Sequence, residues 1–214
     1  MTDVLLYILS LVIGYLIGSI NVSVIVSNVV YNSDIRKHGS GNAGATNMSR
    51  VYGLFGGIVV LVCDFGKCIG AMCLAMAIGG DSLGELCSLC AGAGCMIGHA
   101  FPLYFKFKGG KCVTVGLALA CMIDWRAALI IASVFLIVFL ITQIVSLGSI
   151  IASMSFIIVL FGFYAFQGST IYVSIYELIL GVLAAIMVVV LHHSNIKRIL
   201  DGTEKKFTYK KTKK

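Results

Sequence analysis

The chain has 214 residues, 59% of them hydrophobic and 12% charged. Soluble domains carry ~25% charged residues, so this composition leaves too little polar surface to keep a globule of this size in water and places the chain in a bilayer. The net charge of +7 sits in loops and a tail between apolar runs and calls for no nucleic acid; the eight cysteines, scattered along those runs, read as a buried, reduced helix face rather than a disulfide or metal framework.

In chain order, the first apolar run covers 4–30. Thirty residues lie between Asp3 and Asp34 without a charged side chain, more than the ~20 that cross the hydrocarbon core as a helix. It is not read as a cleaved signal, because it lacks a basic n-region and is too long for an h-region. Further spans are predicted at 53–79, 83–104, 112–123, 126–144, 147–166 and 171–191, the one at 112–123 being short. The 24 glycines and single proline suit close helix packing in lipid. The expectation is an all-α integral membrane protein with about seven transmembrane helices, one polytopic domain over 1–214, and a basic tail from about residue 197 onward.

Orientation follows from the basic residues, which are retained on the cytoplasmic side. One set of connections holds Arg36, Lys37 and Arg50, then Lys106, Lys108 and Lys111, then the tail with Lys197, Arg198, Lys205, Lys206, Lys210, Lys211, Lys213 and Lys214. The other holds Asp3, Asp81, Glu85, Asp124, Arg126 and Glu177. Seven crossings then put the N-terminus outside and the C-terminus in the cytoplasm, with the tail on anionic headgroups. The polar, glycine-rich and histidine-containing stretches "IRKHGSGNAGATNMSR", "GHAFPLYFKFKGGK", "VSLGS" and "HHSNIKR" all fall on the inner face, as a single assembled site requires.

Gly39, Gly41 and Gly44 are spaced as a dinucleotide-binding GxGxxG, but that fingerprint needs a preceding strand and a βαβ unit, and here a long apolar helix precedes it. Asp64, at the distance of a ribose-binding acid, lies inside a predicted span. "FKGGK" likewise lacks the earlier glycine of a P-loop and has Cys112 where Ser or Thr would hold magnesium. The chemistry of glycine loops survives: backbone N–H groups around Gly39, Gly41 and Gly44, with Ser40, Asn42, Thr46 and Asn47, form an oxyanion nest bracketed by Arg36, Lys37 and Arg50. Lys106, Lys108, Gly109, Gly110 and Lys111 repeat the scheme, so two phosphate groups are expected. His99, Ser146, Ser149, His192, His193 and Asn195 fall at the same depth. Plainer roles compete for some of them: His99 locking the helix break at Pro102, His193 facing headgroups, Asp64 and Lys67 as a buried packing pair, Glu177 as a helix N-terminal charge, Trp125 as an interfacial anchor.

The motifs "RKHGSGNAGATNMSR", "GHAFPLYFKFKGGK" and "SLGS", with His192, Asn195, Ile196 and Arg198 forming HxxNIxR, resemble the bacterial membrane glycerol-3-phosphate acyltransferases that use acyl phosphate, the PlsY family, over nearly the whole chain. The resemblance implies seven membrane helices in the bacterial cell membrane, a cytoplasmic active site, and acyl transfer from acyl phosphate to the 1-hydroxyl of glycerol 3-phosphate, giving lysophosphatidic acid and inorganic phosphate. It also implies that Ser40 with its loop, Arg50, Lys111, Ser149, His192 and Asn195 are phosphate and substrate ligands. Family members often carry proline at Asn21, glycine at Cys68 and Cys112, and arginine at Gln143; a side chain at Cys112 is expected to narrow the site beside Lys111, and losing a cation at Gln143 to weaken affinity.

The expected catalytic set is Ser40, Arg50, Lys111, His192 and Asn195, with Gly39, Gly41, Asn42, Gly44, Thr46, Asn47, His99, Lys108, Gly109, Gly110, Ser146 and Ser149 binding substrate. No metal or bound cofactor is expected; the partners are the two substrates and membrane lipids, and a monomer suffices. His192 and His99 are the proton-acceptor candidates by type, but with no carboxylate–histidine dyad in the motifs, the preferred route has the acyl phosphate's own oxygen accept the proton while His192 orients glycerol phosphate. An HxxxxD acyltransferase is set aside, because the fifth residue after each histidine is Ala43, Tyr104, Lys197 or Arg198. A transporter for a phosphorylated solute is the competing class; it requires polar groups at mid-membrane or on both faces.

Overall fold

The computed structural model describes residues 2–168 and 172–207. Ile171, where the last predicted span begins, and the tail lysines Lys210, Lys211, Lys213 and Lys214 lie outside the described residues. Nine α-helices account for the described secondary structure beyond two 3-10 turns: α1 (Thr2–Gly18), α2 (Val22–Tyr31), α3 (Ala45–Tyr52), α4 (Leu54–Ala100), α5 (Val113–Ile123), α6 (Trp125–Thr142), α7 (Val145–Ala165), α8 (Ile175–Leu191) and α9 (His193–Leu200). Four segments are long and apolar enough to cross a membrane, Asp3–Tyr31, Leu54–Phe105, Trp125–Thr142 and Val145–Ala165. The pair α8 and α9, bent by 56° at the break between them, passes the same test of length and hydropathy only when the two are taken together. Two compact units divide the chain, one running to Val115 and the other from Gly116 to Lys206.

In the first unit, α4 is a hairpin. Gly80 takes φ 62°, ψ −162°, a conformation open to glycine, and beyond it the chain folds back on itself. Ala75 packs with Cys87, the free thiols of Cys68 and Cys95 are neighbours, and Lys67 meets His99, so the two halves run antiparallel and match the predicted spans 53–79 and 83–104. α1 lies against the second half through reciprocal glycines: a Cβ on Gly14 or Gly18 would overlap the main chain of Ala91 or Cys95, and one on Gly94 or Gly98 would overlap that of Leu11 or Tyr15. These are small residues four apart on both helices, the pattern that lets helix backbones touch in lipid.

The predicted first span, 4–30, proves to be two helices. Asn21 caps α2, its Oδ1 accepting from Val24 N at 3.1 Å, and the interruption at Ser19–Asn21 exposes main-chain acceptors in an otherwise apolar segment. One is used at once, Ile20 O accepting from Lys67 Nζ at 2.8 Å, and beside it the Ser19 hydroxyl oxygen accepts from Leu103 N at 3.2 Å. α2 ends at Asn32 in a left-handed cap, and its last residue Tyr31 stacks on Tyr52 of α3 with centroids 4.0 Å apart. Val24, Ile35, Ala43, Met48 and Val60 form the core beneath that corner.

In the second unit, Asp124 caps α6 by accepting from Arg126 N and Ala127 N. Gln143, at φ 58°, ends α6 with its amide turned back on Leu140 O, and α7 follows directly. Gly148 of α7 packs on Phe135 of α6, and Gly181 of α8 on Leu160 and Phe156 of α7. Glu177 is the third helical residue of α8 and completes a capping box with Ser174, a fuller role than the N-terminal charge expected of it.

Candidate active site

The first glycine loop is organised by Asn47, which is 1% exposed. Its Nδ2 donates to Ile35 O, His38 O and Asn42 O at 3.3, 3.0 and 3.0 Å, and its Oδ1 accepts from Ser40 N at 2.9 Å. Gly39, at φ +63°, has no alternative, because a Cβ there would overlap Asn47 Oδ1. Asn47 therefore shapes the loop from inside. The N–H groups of Ser40 and Gly41 are also taken, the second by His38 O at 3.0 Å. What the loop offers a ligand is the N-terminus of α3, whose first N–H groups have no preceding turn to bond, together with Ser40 Oγ, Asn42, Thr46 and the guanidinium of Arg50, side chains with no bond or ion pair among the described residues.

Arg36, expected to lend the loop positive charge, is spent elsewhere. Its Nε and Nη2 clasp the Asp34 carboxylate at 2.7–3.1 Å, and its Nη1 donates to Phe105 O at 2.7 Å. The guanidinium beside it holds the Asp34 carboxyl below the usual carboxylate range.

The second loop starts where α4 stops at Ala100. Gly109 N donates to Ala100 O at 3.1 Å and Gly110 N to His99 O at 3.0 Å, so the loop doubles back onto the end of α4 after the 3-10 turn Leu103–Phe105. A Cβ on Gly110 would overlap His99 Nε2 and sit 3.0 Å from Ala43 O, which puts the two glycine loops in contact. With the Arg36–Phe105 bond, segments 38–47 and 106–111 emerge together. Lys108 is exposed and Lys111 half-buried. Cys112 stands at φ 60° with its thiol fully buried and donating to Met96 O at 3.2 Å, so the side chain turns into the helices and does not narrow the loop as expected.

Behind this loop lies a buried ionic cluster. Lys67 Nζ is 2.8 Å from Asp64 Oδ1, donates to Ile20 O at 2.8 Å and is 3.1 Å from His99 Nδ1; His99 is 4% exposed. The bond from Gly110 N to His99 O is a main-chain one and leaves the ring out of the helix break, whereas Asp64 and Lys67 are the expected buried pair and both approach His99 Nδ1.

In the second unit, Ser146 and Asn195 meet on one carboxylate. Glu204 Oε1 accepts from Ser146 Oγ at 2.7 Å and Asn195 Nδ2 at 2.6 Å, and Oε2 accepts from Arg198 Nε at 2.6 Å. Burial pushes the Glu204 carboxyl up, but the bonds from Ser146, Arg198 and Asn195 outweigh it and hold the group below its ordinary range. Ser149, buried, donates to Val145 O at 2.9 Å. His192 caps α8, and its Nδ1 lies 2.7 Å from Val188 O. A carbonyl can only accept, so the ring proton sits on Nδ1 and Nε2 is the acceptor nitrogen of the neutral ring. Glu204 was missed as a site residue because in sequence it is one acid in a basic tail; its three donors lie 6, 9 and 58 residues away. Among the described residues no group of three or more His, Cys, Asp or Glu side chains is placed to hold a metal ion.

Residues 8–202 match the family described as glycerol-3-phosphate acyltransferase. The chain is 38% identical to a glycerol-3-phosphate acyltransferase of Macrococcus caseolyticus, over 95% of this chain and 98% of the relative. It is 36% identical to glycerol-3-phosphate acyltransferase 2 of Bacillus anthracis, over 93% and 98%. Among solved structures it superimposes on PlsY, an integral membrane glycerol 3-phosphate acyltransferase, in its glycerol 3-phosphate form, with a TM-score of 0.83, 30% identity and 97% and 96% coverage. The lysophosphatidic acid form of PlsY superimposes with a TM-score of 0.77 at 28% identity.

Proposed function

Because the chain belongs to the glycerol-3-phosphate acyltransferase family and is an integral membrane protein of the PlsY type, we propose that acyl phosphate is its donor. The fatty acyl group passes to the 1-hydroxyl of sn-glycerol 3-phosphate, and the products are lysophosphatidic acid and inorganic phosphate, the first step of phospholipid synthesis. The observation that carries this reading is the junction of two glycine loops, with Ala43 against Gly110 and Arg36 bonded to Phe105, each loop bearing cations and donors suited to a phosphate. The chain works as one domain over 1–214 with seven crossings, the N-terminus outside and the loops in the cytoplasm. No cofactor is required, and a monomer suffices.

The chemistry asks for charge neutralisation and alignment more than for a strong acid, because phosphate is already a good leaving group. Two dianionic substrates repel each other; Arg50, Lys108, Lys111 and the α3 N-terminus offset that repulsion, and Ser40, Asn42, Thr46 and the loop glycines fix the oxyanions. The glycerol hydroxyl oxygen attacks the acyl carbon, the bond from that carbon to the phosphate oxygen breaks, and the hydroxyl proton passes to an oxygen of the acyl phosphate itself. His192, through Nε2, orients glycerol phosphate, with Asn195, Ser146 and Ser149 supporting its binding.

The test uses purified protein in detergent with synthetic acyl phosphate and glycerol 3-phosphate, following phosphate release and lysophospholipid. Product from that pair is expected. Product with acyl-CoA and none with acyl phosphate overturns the donor assignment.

A further inference from the structure

Lys67, Asp64 and His99 are three ionisable groups inside the helical hairpin of α4, each almost wholly buried. A charge at that depth is costly unless it is paired, and the ammonium is paired with Asp64 Oδ1 at 2.8 Å, an ion-pair contact without hydrogen-bond geometry. It also donates to Ile20 O at 2.8 Å and lies 3.1 Å from His99 Nδ1. Asp64 balances its charge and the broken α1–α2 segment supplies the carbonyl.

An ammonium has no lone pair, so toward Nδ1 it can only donate. Nδ1 of His99 is then an acceptor, and the ring proton resides on Nε2. A protonated ring would instead point an N–H at the ammonium from 3.1 Å, with Asp64 Oδ1 at 3.6 Å from Nδ1, outside hydrogen-bonding distance. The other end of the ring faces the second glycine loop, since a Cβ on Gly110 would overlap Nε2. Nε2 has no hydrogen-bond partner among the described residues, although the side chain is 5% exposed.

We infer that Lys67 and Asp64 are positioning residues that lock His99 as a neutral ring with its proton on Nε2, so that His99 donates to a phosphate oxygen at the 109–111 loop and cannot take a proton there. This inference rests on the proposed acyl transfer for its ligand, and it removes one of the two histidines considered as proton acceptors. Gly110 lacks a side chain for the same reason: the ring needs that space to reach the loop.

The tautomer is read directly, without turnover, by two-bond proton–nitrogen NMR on protein carrying nitrogen-15 histidine in detergent micelles. His99→Gln identifies the signal by removing one of four ring systems. The expected spectrum has a protonated-type Nε2 and a bare-type Nδ1 for His99, unchanged between pH 5.5 and 8, with Nε2 shifting on titration with inorganic phosphate. A proton on Nδ1, a ring that titrates in that window, or no response to phosphate overturns the inference. If the spectrum is as expected while no acyl transfer is found, the proposed reaction fails and the locked ring stands.

Kinetics then test whether Lys67 acts through His99. Lys67→Met is expected to raise the KM of one phosphate substrate at least tenfold with kcat within threefold, and varying each substrate in turn shows whether the phosphate belongs to the acyl donor or to glycerol phosphate. In a His99→Gln background, where the amide donor is already fixed by its own chemistry, the same change is expected to add less than twofold. Additive losses in the double variant would mean that Lys67 is merely structural. If Lys67→Met does not fold, the wild-type spectrum alone decides.

Discussion

Arg36 Nη1 donates to Phe105 O at 2.7 Å across 69 residues of sequence, while its other nitrogens clasp Asp34. One guanidinium thus ties the first glycine loop to the second. A charge-assisted hydrogen bond of this kind contributes about 1.5–3 kcal/mol, so Arg36→Met should lower kcat/KM by about 10- to 100-fold through KM for both substrates. Arg36→Lys should rescue little, because an ammonium cannot hold a bidentate carboxylate and a carbonyl at once. Steady-state kinetics with each substrate varied in turn is the measurement.

Asp34 gives the same junction a pH dependence. Its folded pKa is depressed by the hydrogen bond from Arg36, so its contribution is present above the ordinary carboxylate value of about 3.9 and is lost as pH falls through the lower folded value. The tie should therefore hold throughout the range above pH 5. Asp34→Asn should show weakened substrate binding at pH 7, and binding unaltered from wild type would separate the carboxylate from the junction.

Asn47 acts from inside its loop, and the substitution series can show it. Asn47→Asp keeps the acceptor for Ser40 N and loses the donor to Ile35 O, His38 O and Asn42 O, so it should impair turnover nearly as much as Asn47→Ala. Gly39→Ala adds a left-handed backbone cost of about 1–2 kcal/mol to a collision with the same Oδ1. Both should reduce kcat/KM at least 100-fold while circular dichroism in detergent stays helical.

Cys112 occupies a left-handed conformation, φ 60°, that suits glycine better. Removing the side chain relieves about 1–2 kcal/mol of backbone cost and forfeits a comparable amount from the buried thiol and its bond to Met96 O. Cys112→Gly should therefore retain activity and melt within a few degrees of the parent. Cys112→Val should destabilise by more than about 2 kcal/mol, because a β-branched residue resists that conformation and overfills the site. Thermal unfolding in detergent distinguishes the two.

Much of this arrangement was legible in the chain, because hydropathy fixes which segments are buried in lipid and glycine with Lys or Arg marks loops whose chemistry suits a phosphate. The helices α4 to α8 fall close to the predicted runs for that reason. Hydropathy is blind to a main-chain break inside an apolar run, so the cap at Asn21 and the separation of α1 from α2 were not foreseen. It is equally blind to what a polar residue faces. Arg36 looked like a source of positive charge for the loop and is a staple, Asn47 looked like a ligand and shapes the loop from inside, and Glu204 looked like a tail residue and gathers Ser146, Asn195 and Arg198. Each of those identities depends on a partner far away in sequence.

Glu204 should behave as the hub of its three donors. Its depressed folded pKa places its contribution above about 4.3, the ordinary value for Glu, with loss as pH falls through the lower folded value. Glu204→Gln removes the negative charge at every pH, leaves Arg198 without an ionic acceptor and disorders the placement of Asn195. Turnover at pH 7 should fall at least tenfold, and Gln should rescue no better than Ala if the charge is what matters. A Gln variant at wild-type rate would show that the amide oxygen alone suffices.

The last test concerns His192. Its Nδ1 lies 2.7 Å from Val188 O, which fixes the tautomer of the neutral ring but not its part in the reaction, and the choice between base and orienting ligand has to be made kinetically. A general base contributes about 10²- to 10⁴-fold to the chemical step. If the acyl phosphate takes the proton, His192→Ala should raise the KM for glycerol 3-phosphate by about 10- to 100-fold, in line with one lost hydrogen bond to a charged or polar ligand, while kcat at saturating substrate stays near normal. A kcat loss of about 10⁴ with binding unchanged would reject the substrate-assisted route and make His192 the base.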